Sequence, residues 1–258
     1  MSAILAVFKR EFTLYFRSPI AYAVAFAMLL FLGILFNGNL SQSVAYNVSV
    51  AQQGGAGVTA SDLNLAPALI TFLMFLIGPL LTMRLLAEES REGTIEVLMT
   101  LPMNEAQFII GKFLAVWSYY TVLLLLTVTY HLVLTLVGVP DAGVAFGAYL
   151  GAWLYGGAVL AVCMVWSAVT EDQIVAAFLS AATVLVLYLA EVAAVSLTSS
   201  PTLASAANFV RELGLQAHFG ATLANGIIRA EDIAYFVLMM IGALFITTRI
   251  VETRRWRA

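Results

Sequence analysis

Charge is scarce in this sequence. Only 10% of its 258 residues are Asp, Glu, Lys or Arg, and 62% are hydrophobic. A soluble domain carries about one quarter charged residues. So little charge excludes an ordinary water-soluble globule and leaves an integral membrane protein. Cysteine occurs once, as Cys163 inside an apolar run, so no disulfide framework within the chain is possible and the thiol reads as a packing group. Histidine occurs twice, as His131 and His218 in distant segments. A structural zinc site takes four clustered ligands, so no metal site is expected. The phosphate-cradling run G-x-x-x-x-G-K-[ST] is missing, because Gly111-Lys112 lacks the upstream glycine and is followed by Phe113. There is no G-x-S-x-G nucleophile context. No internal repeat is evident, which disfavours a secondary transporter built on inverted repeats. A nucleic-acid partner is not expected.

What is present is long apolar runs. A helix crosses the hydrocarbon core with roughly 20 apolar residues, and six segments qualify: 20–36, 65–86, 113–138, 145–169, 174–198 and 233–250. Their continuity excludes barrel strands, which alternate over about ten residues. The expected fold is therefore all-α and integral to the membrane, a single transmembrane domain over 1–258. Of the 12 basic residues, ten fall on one side when the amino terminus is cytoplasmic, and only Arg211 and Arg229 fall on the other. That bias predicts a multi-pass protein of the plasma membrane with both termini in the cytoplasm. No cleavable leader is expected, since the first apolar run begins only after Lys9, Arg10, Glu11 and Arg17.

Residues 1–18 alternate apolar and polar on a helical period, with Ile4, Leu5, Phe8, Phe12, Tyr15 and Phe16 against Lys9, Arg10, Glu11 and Arg17. This is the pattern of an interfacial amphipathic helix, or else of a basic flank that sets topology. Ser18-Pro19 should end it. The polar segment 37–64 reads as an exposed, flexible loop. Gly78-Pro79 predicts a kink in the second span, either a moving joint or a packing adjustment. Segment 199–230 is too apolar for a linker and suggests two short re-entrant helices, with a soluble cap as the rival. Arg17, Arg84 and Lys112 read as anchors at the inner interface. His131 and Glu191 lie within spans, each roughly 10 Å below the outer end at 1.5 Å per residue. Ionisable groups at such depth face protein or water. They form a pathway pair, a structural pair, or two unrelated placements.

The polar island between the second and third spans is the most informative stretch. Glu88, Glu89, Arg91, Glu92 and Glu96 recur at helical spacing, with Gly93 and Thr94 among them. Glu88 can pair with Arg91, whereas Glu88/Glu92 and Glu92/Glu96 repel weakly at i,i+4. The helix should end at Leu101-Pro102, with Asn104 capping the next one and Gln107 in the capping-box position. Such an elbow is either a solvated loop helix or a docking knob for a cytoplasmic partner with a basic groove.

Glu88-Glu89-Ser90-Arg91-Glu92-Gly93-Thr94-Ile95-Glu96, followed by Leu98, Thr100-Leu101-Pro102 and Gly111-Lys112, resembles the ABC-2 permease family. It looks close to the subgroup associated with gliding motility and copper-processing operons. Lys9-Arg10-Glu11-Phe12, Asp172-Gln173-Ile174, His218-Phe219, Asp232, Tyr235-Phe236 and Arg254-Arg255-Trp256 extend the resemblance along the chain. It implies six membrane helices, an amino-terminal elbow helix, and re-entrant helices before the last span. It implies two permease chains, identical or different, each meeting a separate ABC ATPase through the cytoplasmic coupling elbow at Glu88–Glu96. ATP and magnesium would then be bound by that partner, with no cofactor in this chain. A permease of an exporter is the expected function. The rivals are a motor-independent transporter or channel using His131 and Glu191, and a non-transporting membrane anchor.

Overall fold

The computed structural model describes residues 3–52, 66–93, 104–197 and 204–255. Helix α1 spans Ala3–Arg17 and stops at Ser18, and Pro19 opens α2 (Pro19–Gln52). Proline suits the first turn of a helix, where its missing N–H would have no partner. Four more long helices follow: α3 (Ala66–Arg91), α4 (Glu105–Val137), α5 (Ala142–Val169) and α6 (Gln173–Leu197). Short helices α7 (Ala204–Leu213) and α8 (Leu215–Phe219) and a 3-10 turn at Leu223–Asn225 precede α9 (Ala230–Arg255). Helices α2, α3, α4, α5, α6 and α9 are each long and apolar enough to cross a membrane. The expected six-span, all-helical architecture is the one observed.

Helix α2 departs from the reading of 37–64 as a loop. It continues without a break to Gln52, 34 residues in all, or about 51 Å at 1.5 Å per residue. The polar composition of 37–52 misleads here. The stretch contains no proline and only Gly38 as a breaker, and side chains such as Asn39 turn back to the ladder, Nδ2 donating to Leu35 O at 2.9 Å. A polar helix outside hydrocarbon needs only such satisfied backbone bonds to continue. Residues 53–64 lie outside the described residues.

Helix α5 is the centre of the bundle and packs against α3, α4, α6 and α9. Its sequence explains the position. Gly147, Gly151, Gly156 and Gly157 alternate with alanines along a buried face, and small residues let helix backbones approach closely in a membrane. A Cβ on Gly156 would collide with the Tyr120 ring of α4. On α3, a Cβ on Gly78 would stand 2.8 Å from Val159 Cγ1. Beside that contact Cys163 is fully buried, and Ser180 of α6 donates to its carbonyl at 3.2 Å. Aromatic groups bridge the same helices with their polar tips satisfied. Trp117 and Trp153 stack at 4.2 Å. Trp117 Nε1 donates to Trp153 O, Trp153 Nε1 to Thr121 Oγ1, and Tyr120 OH to Ala152 O. Without water, each of these donors needs an internal acceptor.

The short helices fold back on the end of the bundle remote from the termini. Leu215, Phe219 and Leu223 are fully buried, and Gly226 takes a left-handed φ of +78° where its Cα approaches Gly147. His218 stacks on Tyr235 at 3.9 Å, and its Nδ1 lies 2.9 Å from Asp232 Oδ1. His218, Asp232 and Tyr235, separate in the sequence, form one contact that fastens α8 to the start of α9.

Candidate functional site

At the opposite end, the end carrying both termini, α1 lies across α4. The crossing point is Gly111, where a Cβ would stand 2.8 Å from Val7 Cβ and 3.1 Å from Ile4 O. The next residue is Lys112, only 1% exposed. Its Nζ lies 3.0 Å from Glu11 Oε1 of α1 and 2.9 Å from Glu89 Oε1 of α3. Arg10 adds a looser contact to Glu89 at 3.8 Å. Lys112 also sits 5.0 Å above the Phe108 ring. A buried ammonium without counter-charges would be costly, so the two carboxylates and the lysine hold three helices in one register. Tyr15 reinforces the joint. It stacks on Tyr119 of α4 at 5.0 Å and donates to Leu81 O of α3 at 2.6 Å. Burial pushes the Tyr15 hydroxyl pKa well above its ordinary value, so it remains a donor.

This geometry revises several expectations. Glu11 does not join the exposed polar face of α1; it and Val7 are the buried residues of that helix. Lys112 is buried, and its ammonium points into the joint. Glu89 is 8% exposed and faces inward, so it presents no surface to a partner. Glu88 pairs with Arg84 rather than Arg91, through Nε to Oε2 and Nη2 to Oε1, both at 2.8 Å. Helix α3 ends at Arg91, and Gly93 takes a φ of +70°. That left-handed conformation favours glycine and terminates the helix, so one helix does not carry Glu88 through Glu96. The exposed residues at the tip are Arg91, Glu92 and Gly93. Thr94, Glu96 and the predicted stop at Leu101-Pro102 lie outside the described residues. Asn104 occupies the N-cap of α4, but its side chain makes no capping bond. Arg17 is exposed at the end of α1.

A second joint lies one turn before the tip. Ser167 of α5 is fully buried, and its Oγ accepts from Leu86 N at 3.1 Å and Ala87 N at 3.2 Å. It donates to Met83 O at 3.2 Å. A hydroxyl from another helix is thus inserted into the backbone ladder of α3, one recognised cause of helix bending. Pro79 lies upstream in the same helix, where Thr82 Oγ1 bonds Gly78 O at 2.8 Å. At the nearby α5–α6 turn, Asp172 accepts from Ile174 N and Val175 N and so caps α6.

His131 and Glu191 are not brought together. Each is half-buried, on α4 and α6 respectively, and they form no ion pair. Among the described residues, no group of three His, Cys, Asp or Glu side chains is placed to hold a metal ion. Sequence reasoning missed the Glu11–Lys112–Glu89 bridge and the Ser167 insertion. The first left a signal: Lys112 lies between Phe108-Ile109 and Phe113, and a cation in an apolar run calls for a counter-charge. Ser167 left none.

Curated proteins gave no match to the chain. The model of the family described as ABC-2 family transporter protein matches residues 5–247, nearly the whole chain, with the first five spanning helices in full and most of the sixth. The chain therefore belongs to the ABC-2 transporter family, as a membrane-spanning permease subunit.

Proposed function

We propose that this permease subunit works in an ATP-driven exporter, as one of two permease chains around a shared pathway. A separate ATPase, which binds the ATP and magnesium, engages it at the tip of α3. The observation that carries the reading is the way α3 is held. Arg91–Gly93 at its end are exposed, while Glu89 and Leu86–Ala87 just before them are fastened to α1 and α4 through Lys112 and to α5 through Ser167. A push on the tip is then delivered to three helices at once, including the central one. Energy reaches the pathway only through contacts that differ between two states, and the inserted Ser167 and Pro79, inside an otherwise continuous helix, give α3 two points at which to bend.

The exposed apolar side chains Phe72 and Leu76 of α3 and Phe178, Leu189 and Val192 of α6 suit the seam between two permease chains. The charge bias of the sequence supports cytoplasmic termini in a bacterial or archaeal plasma membrane, with α1 in the inner interface and α7–α8 re-entrant from the outside. The motif resemblance supports the gliding-motility and copper-processing subgroup. A motor-independent pathway through His131 and Glu191 gains no support from their separation.

The test is co-purification with an ABC ATPase co-expressed with this chain. Charge reversal at Arg91 and Glu92 should leave membrane insertion intact and release the ATPase. Full ATPase stoichiometry in the double variant would refute the docking site.

A further inference from the structure

A cavity of about 470 Å³ opens between α1, the start of α2 and the last turns of α3, a volume typical of small-molecule sites. Four of its lining residues are cationic and four are carboxylates, so its formal charge is zero. Lys112, Glu11 and Glu89 belong to the buried bridge, and Arg84 is held by Glu88. That leaves Arg17 and Glu92, both exposed, with no opposite charge within ion-pair distance among the described residues. Arg84 gives Nε and Nη2 to Glu88, which leaves Nη1 for another acceptor.

The order of groups along α3 is directional. Along α3 the lining residues run from Leu80 and Leu81 through Arg84 and Glu88 to the exposed Glu92. Each step of four residues is about 6 Å along the helix. Apolar, then cationic, then anionic is the complement of an acyl chain, a phosphate and a terminal ammonium. On the facing wall Leu14 and Ile20 are 46% and 43% exposed and continue the apolar surface toward hydrocarbon. A purely anionic headgroup would meet Glu88 and Glu92, and a peptide would not match the apolar end.

We propose that this cavity binds a phospholipid whose headgroup carries both a phosphate and a primary amine. The phosphate lies against Arg17 and Arg84, the ammonium against Glu92, and the chains along Leu80 and Leu81. Basic groups near membrane helices are established headgroup contacts; the exposed Glu92 carboxylate here adds selection for the amine. The inference rests on membrane insertion and not on the ATPase reading.

The test is native mass spectrometry of the full chain, offered equal amounts of phosphatidylethanolamine, phosphatidylcholine and phosphatidylglycerol with identical acyl chains. One phosphatidylethanolamine should be retained in preference to both others. Glu92→Gln should reduce the preference over phosphatidylglycerol by about fivefold, the effect of one charge near a membrane surface. Arg17→Gln should lower retention of all three lipids. Leu80→Trp fills the apolar end and should displace the lipid with every charge in place. Elution volume and melting temperature identify any variant that fails to fold. Equal retention of the three lipids means annular lipid only and overturns the proposal, as does a preference for phosphatidylglycerol. Variants that release the ATPase while the lipid ratio stays unchanged would give the cavity to the protein partner instead.

Discussion

Lys112 Nζ and Glu11 Oε1 are 3.0 Å apart although the residues are separated by 101 positions, and both side chains are buried. The amino-terminal helix is therefore a structural member of the bundle. Breaking a buried ion pair from one side costs about 3–5 kcal/mol, because the remaining charges lose their partner. Lys112→Ala should lower the unfolding free energy by that amount, read from thermal unfolding in detergent. Replacing all three groups, as Lys112→Met with Glu11→Leu and Glu89→Leu, should recover much of the loss. A single variant as stable as the parent would show that the bridge contributes nothing.

Glu89 and Glu92 lie three residues apart and have opposite roles. Glu92→Lys acts on an exposed residue and should change stability by less than about 0.5 kcal/mol while weakening ATPase capture. Glu89→Lys puts a second cation beside Lys112 and Arg10 and should reduce folded protein before docking can be measured. Equal yields of the two variants on size-exclusion chromatography would contradict the burial of Glu89.

Two glycines in spans give a paired prediction. Gly156→Ala meets the Tyr120 ring and should destabilise by about 1–3 kcal/mol through overpacking. Gly242→Ala meets nothing within 4 Å and should be neutral or stabilising by up to about 1 kcal/mol, since alanine is the better helix former. Melting temperatures of the two variants should move in different directions or by clearly different amounts.

Ser167→Ala removes the hydroxyl from the α3 ladder. The freed amides of Leu86 and Ala87 can return to carbonyls of their own helix, so the stability cost should stay near 1 kcal/mol. The shape of α3 should change more than its stability. Spin labels at Leu76 and Glu92 should report a longer separation in the variant, and an unchanged distance would mean that Ser167 does not bend the helix.

The spans were legible because hydrophobic run length is a local property fixed by bilayer thickness. Ser18-Pro19 marked the break between α1 and α2 for an equally local reason. The loop reading of 37–52 failed because composition was taken to decide conformation, whereas a polar stretch with few breakers can continue a helix already begun. The acidic island was visible as a place, but its internal division was not. Whether Glu88, Glu89 or Glu92 faces solvent depends on where α1 and α4 lie around α3. Those contacts are long-range, and helical spacing carries no record of them. Glu88 has an arginine within one turn on either side, Arg84 and Arg91, and spacing alone did not say which it would take; the left-handed φ of Gly93 ends α3 just beyond them.

Cys163, sealed between α3, α5 and α6, has a practical corollary. The chain contains no other thiol, and this one is inaccessible to aqueous maleimides. A reporter cysteine engineered at either rim can thus be derivatised in the native background, so fluorophores or bifunctional linkers can track the movement of α3 without first removing a residue from the centre of the bundle.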